Sequence, residues 1–137
     1  MKHKAGFVNI LGLPNAGKST LMNALTGERL SIITSKAQTT RHRILGIVNG
    51  AGFQVVFSDT PGIVRPQSKL HLKMMKSIGT AIEDADVTVL VHDIHNKQMP
   101  DKELLGRIAE NKAPVVLVFN KTDMEDGIDR DMILQKW

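Results

Sequence analysis

Gly12-Leu13-Pro14-Asn15-Ala16-Gly17-Lys18-Ser19 follows directly on the apolar run Phe7–Leu11. It opens through Thr20 into a helical pattern carrying Leu21, Met22 and Leu25, with Gly27 as its stop. The octet is GxxxxGK[ST] in the strand–loop–helix setting that the motif requires. Glycines let the backbone wrap close to phosphate oxygens, so that successive N–H groups point inward. The helix N-terminus adds the positive end of its dipole. Lys18 is placed to reach β- and γ-phosphates, and the Ser19 hydroxyl to bind Mg²⁺. Residue frequencies allow a chance match in roughly one chain of this length in two hundred.

Outward from this loop the chain alternates between two patterns. Further short apolar runs, rich in β-branched residues, lie at Ile44–Val48, Phe53–Phe57, Val87–Val91 and Val115–Phe119, and read as strands. Three of the five runs are nearly continuous, as expected of strands covered on both faces. Asn49-Gly-Ala-Gly52 predicts an antiparallel hairpin between the second and third. Helical patterns occupy Gln67–Glu83, with Leu70, Met74, Ile78 and Ile82 in one stripe, and Asp101–Asn111, with Leu104, Leu105 and Ile108. A last helix starts near Asp129. The order β-α-β-β-α-β-α-β-α predicts an α/β P-loop NTPase fold: a mostly parallel sheet, helices on both faces and one antiparallel hairpin strand. The irregular stretch between Glu28 and Arg43 is of a length that usually carries function.

Composition sets the bounds. The 137 residues suffice for one domain with its own core. The absence of cysteine excludes a disulfide scaffold, a zinc–thiolate site and a cysteine nucleophile. No run reaches the roughly 18 apolar residues that span a bilayer, and Phe7–Leu11 is too short and too polar at Asn9 for a signal peptide. The net charge of +4 is unevenly spread. Residues 1–58 hold seven basic residues (Lys2, Lys4, Lys18, Arg29, Lys36, Arg41, Arg43) against the single acid Glu28, while residues 59–137 carry a small acidic surplus. The first part suits an anion.

Two more motifs fall at strand ends. Asp59-Thr60-Pro61-Gly62 closes the third strand, followed by Ile63. Asp59 is placed for the Mg²⁺ shell, and Gly62 is bare enough to offer its N–H to a γ-phosphate. Asn120-Lys121-Thr122-Asp123 closes the fifth strand. A carboxylate at Asp123 can accept from both the ring N–H and the exocyclic amine of guanine, a donor pair that adenine lacks. If that carboxylate is buried, adenine leaves it unpaired. Asn120 can meet the base edge and brace the first loop, and the Lys121 stem can cover the base face. The three motifs converge on one guanine nucleotide, GTP or GDP, with Mg²⁺.

At this point the chain resembles the Era family of translation-factor-related GTPases. Ser31-Ile-Ile-Thr-Ser-Lys-Ala-Gln-Thr-Thr-Arg-His-Arg43 carries the resemblance, together with Gly12–Ser19 and Asp59–Ile63. It implies that residues 28–43 are switch I, whose Thr40 (or Thr39) closes on Mg²⁺ and γ-phosphate, and that Gly62 to Leu70 is switch II. Ile63 and Val64 stand where better-known GTPases carry a water-orienting glutamine, so catalysis falls to Lys18, Gly62, Thr40 and the loop N–H groups. Asn15 matches the position through which Era-like enzymes hold K⁺.

The resemblance also implies a cytoplasmic GTP hydrolase in small-subunit ribosome assembly, with 16S rRNA as partner, some peripheral contact with the cell membrane's inner face and no stable oligomer. Family G domains continue past the position of Trp137 with a further base-binding loop, a strand and a helix, then an RNA-binding KH domain. The 137 residues are therefore expected to be an incomplete G domain without the KH domain.

Other readings are weighed beside this one. A P-loop kinase or ATPase shares the first motif, but Asn120-Lys121-Thr122-Asp123 speaks against it. A tRNA-modification GTPase and a non-catalytic guanine-nucleotide-binding fragment are the nearest alternatives. His3, His42, His71, His92 and His95 show no metal-ligand spacing. Met74 and Met75 read as core filler. Glu83, Asp84 and Asp86 are no acid–base pair. Arg41 and Arg43 are open between solvent, phosphate and RNA.

Overall fold

The computed structural model describes residues 2–28, 43–63, 67–124 and 129–137. Gly52, at φ 80°, closes the turn of an antiparallel hairpin between β2 (Ile44–Gly50) and β3 (Phe53–Asp59), in register from Ile44 opposite Asp59 to Gly50 opposite Phe53. Only glycine adopts that φ without strain. Around the hairpin the chain adds β1 (Lys4–Leu11), β4 (Val87–Asp93) and β5 (Val115–Asn120), giving one sheet in the order β2-β3-β1-β4-β5. β1 pairs in parallel with both β3 and β4, and β4 with β5. Four parallel strands therefore end at one edge, with β1 at the point where the strand order reverses, the usual place for a ligand in such sheets.

Helices α1 (Lys18–Thr26), α2 (Lys69–Asp84), α3 (Lys102–Glu110) and α4 (Arg130–Gln135) complete the order expected from the sequence, with a short 3₁₀ turn at Thr122–Met124. Side chains cap three of the helix starts: Ser68 accepts from the His71 N–H, Asp101 from that of Glu103 and Asp129 from that of Asp131.

Alternation along β1 feeds two cores. Leu11 joins Ile63, Ile78, Ile82, Leu90, Leu104 and Ile108, against which Met75 packs. Ile10 joins Ala16, Met22 and Val91 on the opposite face. Met74 is fully buried, as its reading as filler expects. The α2 stripe buries Met74, Ile78 and Ile82, but Leu70 in its first turn is exposed. Among the described residues β5 pairs with β4 alone. Its run Val115, Val116 and Leu117 is 40–49% exposed, not covered on both faces.

A buried polar row crosses the sheet. Asn9, Ser58 and Thr88 are side by side in register and at most 2% exposed. The Ser58 hydroxyl accepts from Arg43 Nε at 2.6 Å, and the same guanidinium pairs with Asp84 at 2.8 Å. This corrects the open reading of Arg43, which ties the start of β2 to the end of α2 rather than facing solvent, phosphate or RNA. Asp86 exchanges two hydrogen bonds with Phe7. Its carboxylate accepts from the Phe7 N–H at 2.8 Å, and its own N–H reaches the Phe7 carbonyl at 2.9 Å. Arg41 and His42 lie outside the described residues.

Candidate functional site

The loop between β1 and α1 has its backbone set locally. Asn15 and Gly17 take φ values of 62° and 98°, and Gly17 then serves as N-cap of α1. A side chain on Gly17 would run into the Asn120 amide, and one on Gly12 would come within 2.5 Å of the Val91 carbonyl. Gly62 is pressed against Pro14, whose Cα lies 2.8 Å from where its Cβ would be. The Ile63 N–H donates to the Gly12 carbonyl at 3.0 Å, holding the end of Asp59–Ile63 onto the first loop.

Lys18 sits inside this cradle, 6% exposed, and its Nζ donates to the Leu13 carbonyl at 2.8 Å. Burial pulls its pKa down from 10.5 to about 8, against an opposing pull from Asp59. The ammonium thus folds back onto the loop whose phosphate it would meet.

Ser19 Oγ donates to Asp59 Oδ2 at 2.7 Å, with Asp59 wholly buried. A hydroxyl and a carboxylate are the hard oxygen donors that Mg²⁺ takes, and that ion draws its other ligands from water and phosphate. Among the described residues no group of three or more His, Asp or Glu gathers as a metal cage. The Ser19–Asp59 pair therefore fits a Mg²⁺ shared with a nucleotide better than a protein-only metal site. Thr39 and Thr40 lie outside the described residues.

The loop after β5 is bound to the first. Asn120 Nδ2 donates to the Ala16 carbonyl at 2.9 Å, and Lys121 Nζ to the Asn15 carbonyl at 2.8 Å. Residues more than a hundred positions apart form one rigid rim. Asp123 stands exposed on the 3₁₀ turn, so the burial on which its discrimination against adenine depends is not present in the chain alone. Thr20 and Thr122 are exposed, and Pro61 is fully buried.

Two side chains of the Asp59–Ile63 segment face the protein interior. The Thr60 hydroxyl donates to the Ile10 carbonyl at 2.8 Å and is fully buried. The Ile63 side chain lies in the core with Leu11 and Ile78. Both brace the segment from within. The structure adds a residue the sequence reading did not single out: the Asp93 carboxylate accepts from Lys121 Nζ at 2.8 Å. Its only sequence signal is a carboxylate at the end of a strand; the register of Asp93 opposite Asn120 supplies the rest.

Phosphate loop, hydroxyl–carboxylate pair and base-side loop on one sheet edge define the P-loop GTPase class. The chain belongs to the family described as 50S ribosome-binding GTPase, whose model matches residues 7–121. It is 43% identical over 133 residues to GTPase Era of Geotalea daltonii, covering 96% of this chain and 44% of that protein. It superposes on Era in complex with MgGDPNP and nucleotides 1506–1542 of 16S ribosomal RNA with a TM-score of 0.84. There the identity is 38%, over 97% of this chain and 45% of the other. Against a point variant of Aquifex aeolicus Era bound to GDP and AlF4⁻ the TM-score is 0.86 at 38% identity, over 99% of this chain and 48% of the other. The chain spans 30–46% of the length of the curated relatives it matches.

Proposed function

We propose that this chain binds a guanine nucleotide with Mg²⁺ and hydrolyses GTP to GDP and phosphate. The observation that carries this reading is the pair of hydrogen bonds from Asn120 and Lys121 to the Ala16 and Asn15 carbonyls. They make the base side and the phosphate side one preorganised site. Ser19 and Asp59 would hold the Mg²⁺, and the ion would supply positive charge to offset that of the phosphates. Lys18, the loop N–H groups and the Gly62 N–H stabilise the γ-phosphoryl group as water attacks and the bond to GDP breaks. Ile63 is buried in the core and orients no water. GTP is expected to displace a fluorescent GDP analogue at least a hundredfold better than ATP, with release of phosphate. Equal competition by ATP would refute the guanine assignment. GTP binding without phosphate release would select the non-catalytic alternative.

Asn15 carries the proposal of a K⁺ beside the phosphates. It is exposed on the loop with its backbone at φ 62°, where a side-chain oxygen can turn towards a bound cation. Faster turnover in K⁺ than in Na⁺ is expected, and this difference is lost in Asn15→Ala. Equal rates in the two salts would exclude it.

The role of the full protein is read from resemblance. The family description names the 50S subunit, whereas the 16S RNA in the Era complex belongs to the small subunit. The likeness to Era supports small-subunit assembly over tRNA modification. Among the described residues no helix is long and apolar enough to cross a membrane. Co-sedimentation of the full protein with small rather than large subunits in the presence of a GTP analogue tests this.

A further inference from the structure

Lys121 adopts a backbone φ of 67°. For a residue with a Cβ this left-handed conformation is strained, and it persists only where the surroundings hold it. The turn that follows β4 provides the hold. The Asp93 carbonyl accepts from the Asn96 N–H at 2.9 Å, which closes the turn. Asp93 Oδ1 accepts from the His95 N–H at 2.9 Å, which fixes the plane of the carboxylate and leaves Oδ2 for Lys121 Nζ at 2.8 Å. On the other side of the turn, His95 Nε2 lies 3.3 Å from the Lys121 carbonyl, and the Ile94 N–H donates to the Asn120 carbonyl at 3.3 Å. The turn thus grips Lys121 at its ammonium and at its backbone. The ion pair is largely shielded, with side chains 17% and 30% exposed. Burial alone would raise the Asp93 pKa, but the hydrogen bonds from Lys121 and the His95 N–H bring it below the ordinary carboxylate value.

We propose that Asp93 is a positioning residue for guanine-nucleotide binding, holding Lys121 across the gap between the base-side loop and the phosphate loop. This rests on the guanine-nucleotide reading above. Lys121 Nζ has two fixed partners, the Asn15 carbonyl and Asp93. With Asp93 gone, the ammonium keeps one neutral acceptor. Its stem is then free to leave the path on which it covers the base, and the strained backbone loses its anchor. Asp93 touches no nucleotide itself. Its effect is expected in how long the nucleotide stays, not in which base is chosen, because base choice belongs to Asp123.

The test is a cycle of variants read by release of a fluorescent GDP analogue. Asp93→Asn can keep the turn, its amide oxygen accepting from the His95 N–H, while losing the charge that holds Lys121. It is expected to release the analogue about tenfold faster than the wild type, the size of one lost charge-assisted hydrogen bond. Preference for GDP over XDP is expected to stay within about twofold. In a Lys121→Met background the same Asp93→Asn change should add less than about twofold. Asp93→Ala serves as a second variant, with far-ultraviolet circular dichroism reporting on folding. An equal acceleration in both backgrounds would show that Asp93 merely supports the turn and would overturn the proposal. Wild-type release rates in Asp93→Asn would overturn it too, leaving the guanine reading standing. A wild-type chain that binds no guanine nucleotide would remove both.

Discussion

Asp123→Asn is expected to cost about two orders of magnitude in GDP affinity and to raise XDP affinity by a similar factor. A carboxylate accepting from the ring N–H and exocyclic amine of guanine makes two charge-assisted bonds, each worth about 1.5 kcal/mol at the low end, and 3 kcal/mol is close to two decades. The asparagine amide offers a donor to the C2 oxygen of xanthine where the carboxylate offered a repulsion. Asp123 is exposed on its 3₁₀ turn, so the substitution disturbs no packing and the thermal midpoint should hardly move. Isothermal titration with GDP, XDP and ADP separates the cases. Retained guanine preference in a folded variant would show that another residue reads the base.

Lys18→Met is expected to act in opposite directions on stability and on binding. The ammonium is 6% exposed, has the neutral Leu13 carbonyl as acceptor at 2.8 Å, and has its pKa drawn from 10.5 down to about 8. A charge held this way is unfavourable in the free protein, and methionine keeps most of the buried stem. The nucleotide-free chain should therefore melt higher, by about 3 °C for each kcal/mol relieved. GTP affinity should fall by about a hundredfold or more, since two charge-assisted contacts to phosphate are lost, and turnover should become undetectable. A lower melting point together with unchanged GTP affinity would show that Lys18 is a structural residue. The pattern expected here is that of a group kept at a cost to the fold for what it does to a ligand.

The motifs were legible because each depends on residues close together in the chain. Gly17 at φ 98° and the start of α1 follow from Gly12–Ser19 alone, and the hairpin follows from the turn at Asn49–Gly52. What local sequence leaves open is the direction of a side chain. Thr60 and Ile63 belong to the same short motif as Asp59 and Gly62, yet their side chains turn into the protein, onto the Ile10 carbonyl and into the core with Leu11. Arg43 stays open between solvent, phosphate and RNA in the sequence, because Ser58 and Asp84 lie 15 and 41 positions away and no local pattern announces them. The run Val115–Phe119 looks like a strand buried on both faces, whereas among the described residues it pairs with β4 alone and Val115, Val116 and Leu117 are exposed.

The amino-acid sequence by itself determined the class of fold, the element order, the phosphate loop and the two strand-end motifs, because backbone preference, hydrophobic period and turn chemistry act over a few residues. The tertiary structure decided what those motifs become together. Parallel pairing of β3, β1, β4 and β5 carries Asp59 to Ser19, Asn120 to Ala16, and Asp93 to Lys121. The hydrogen bonds that make one site span 40, 104 and 28 positions of chain, and only strand register sets which groups end within 3 Å of each other.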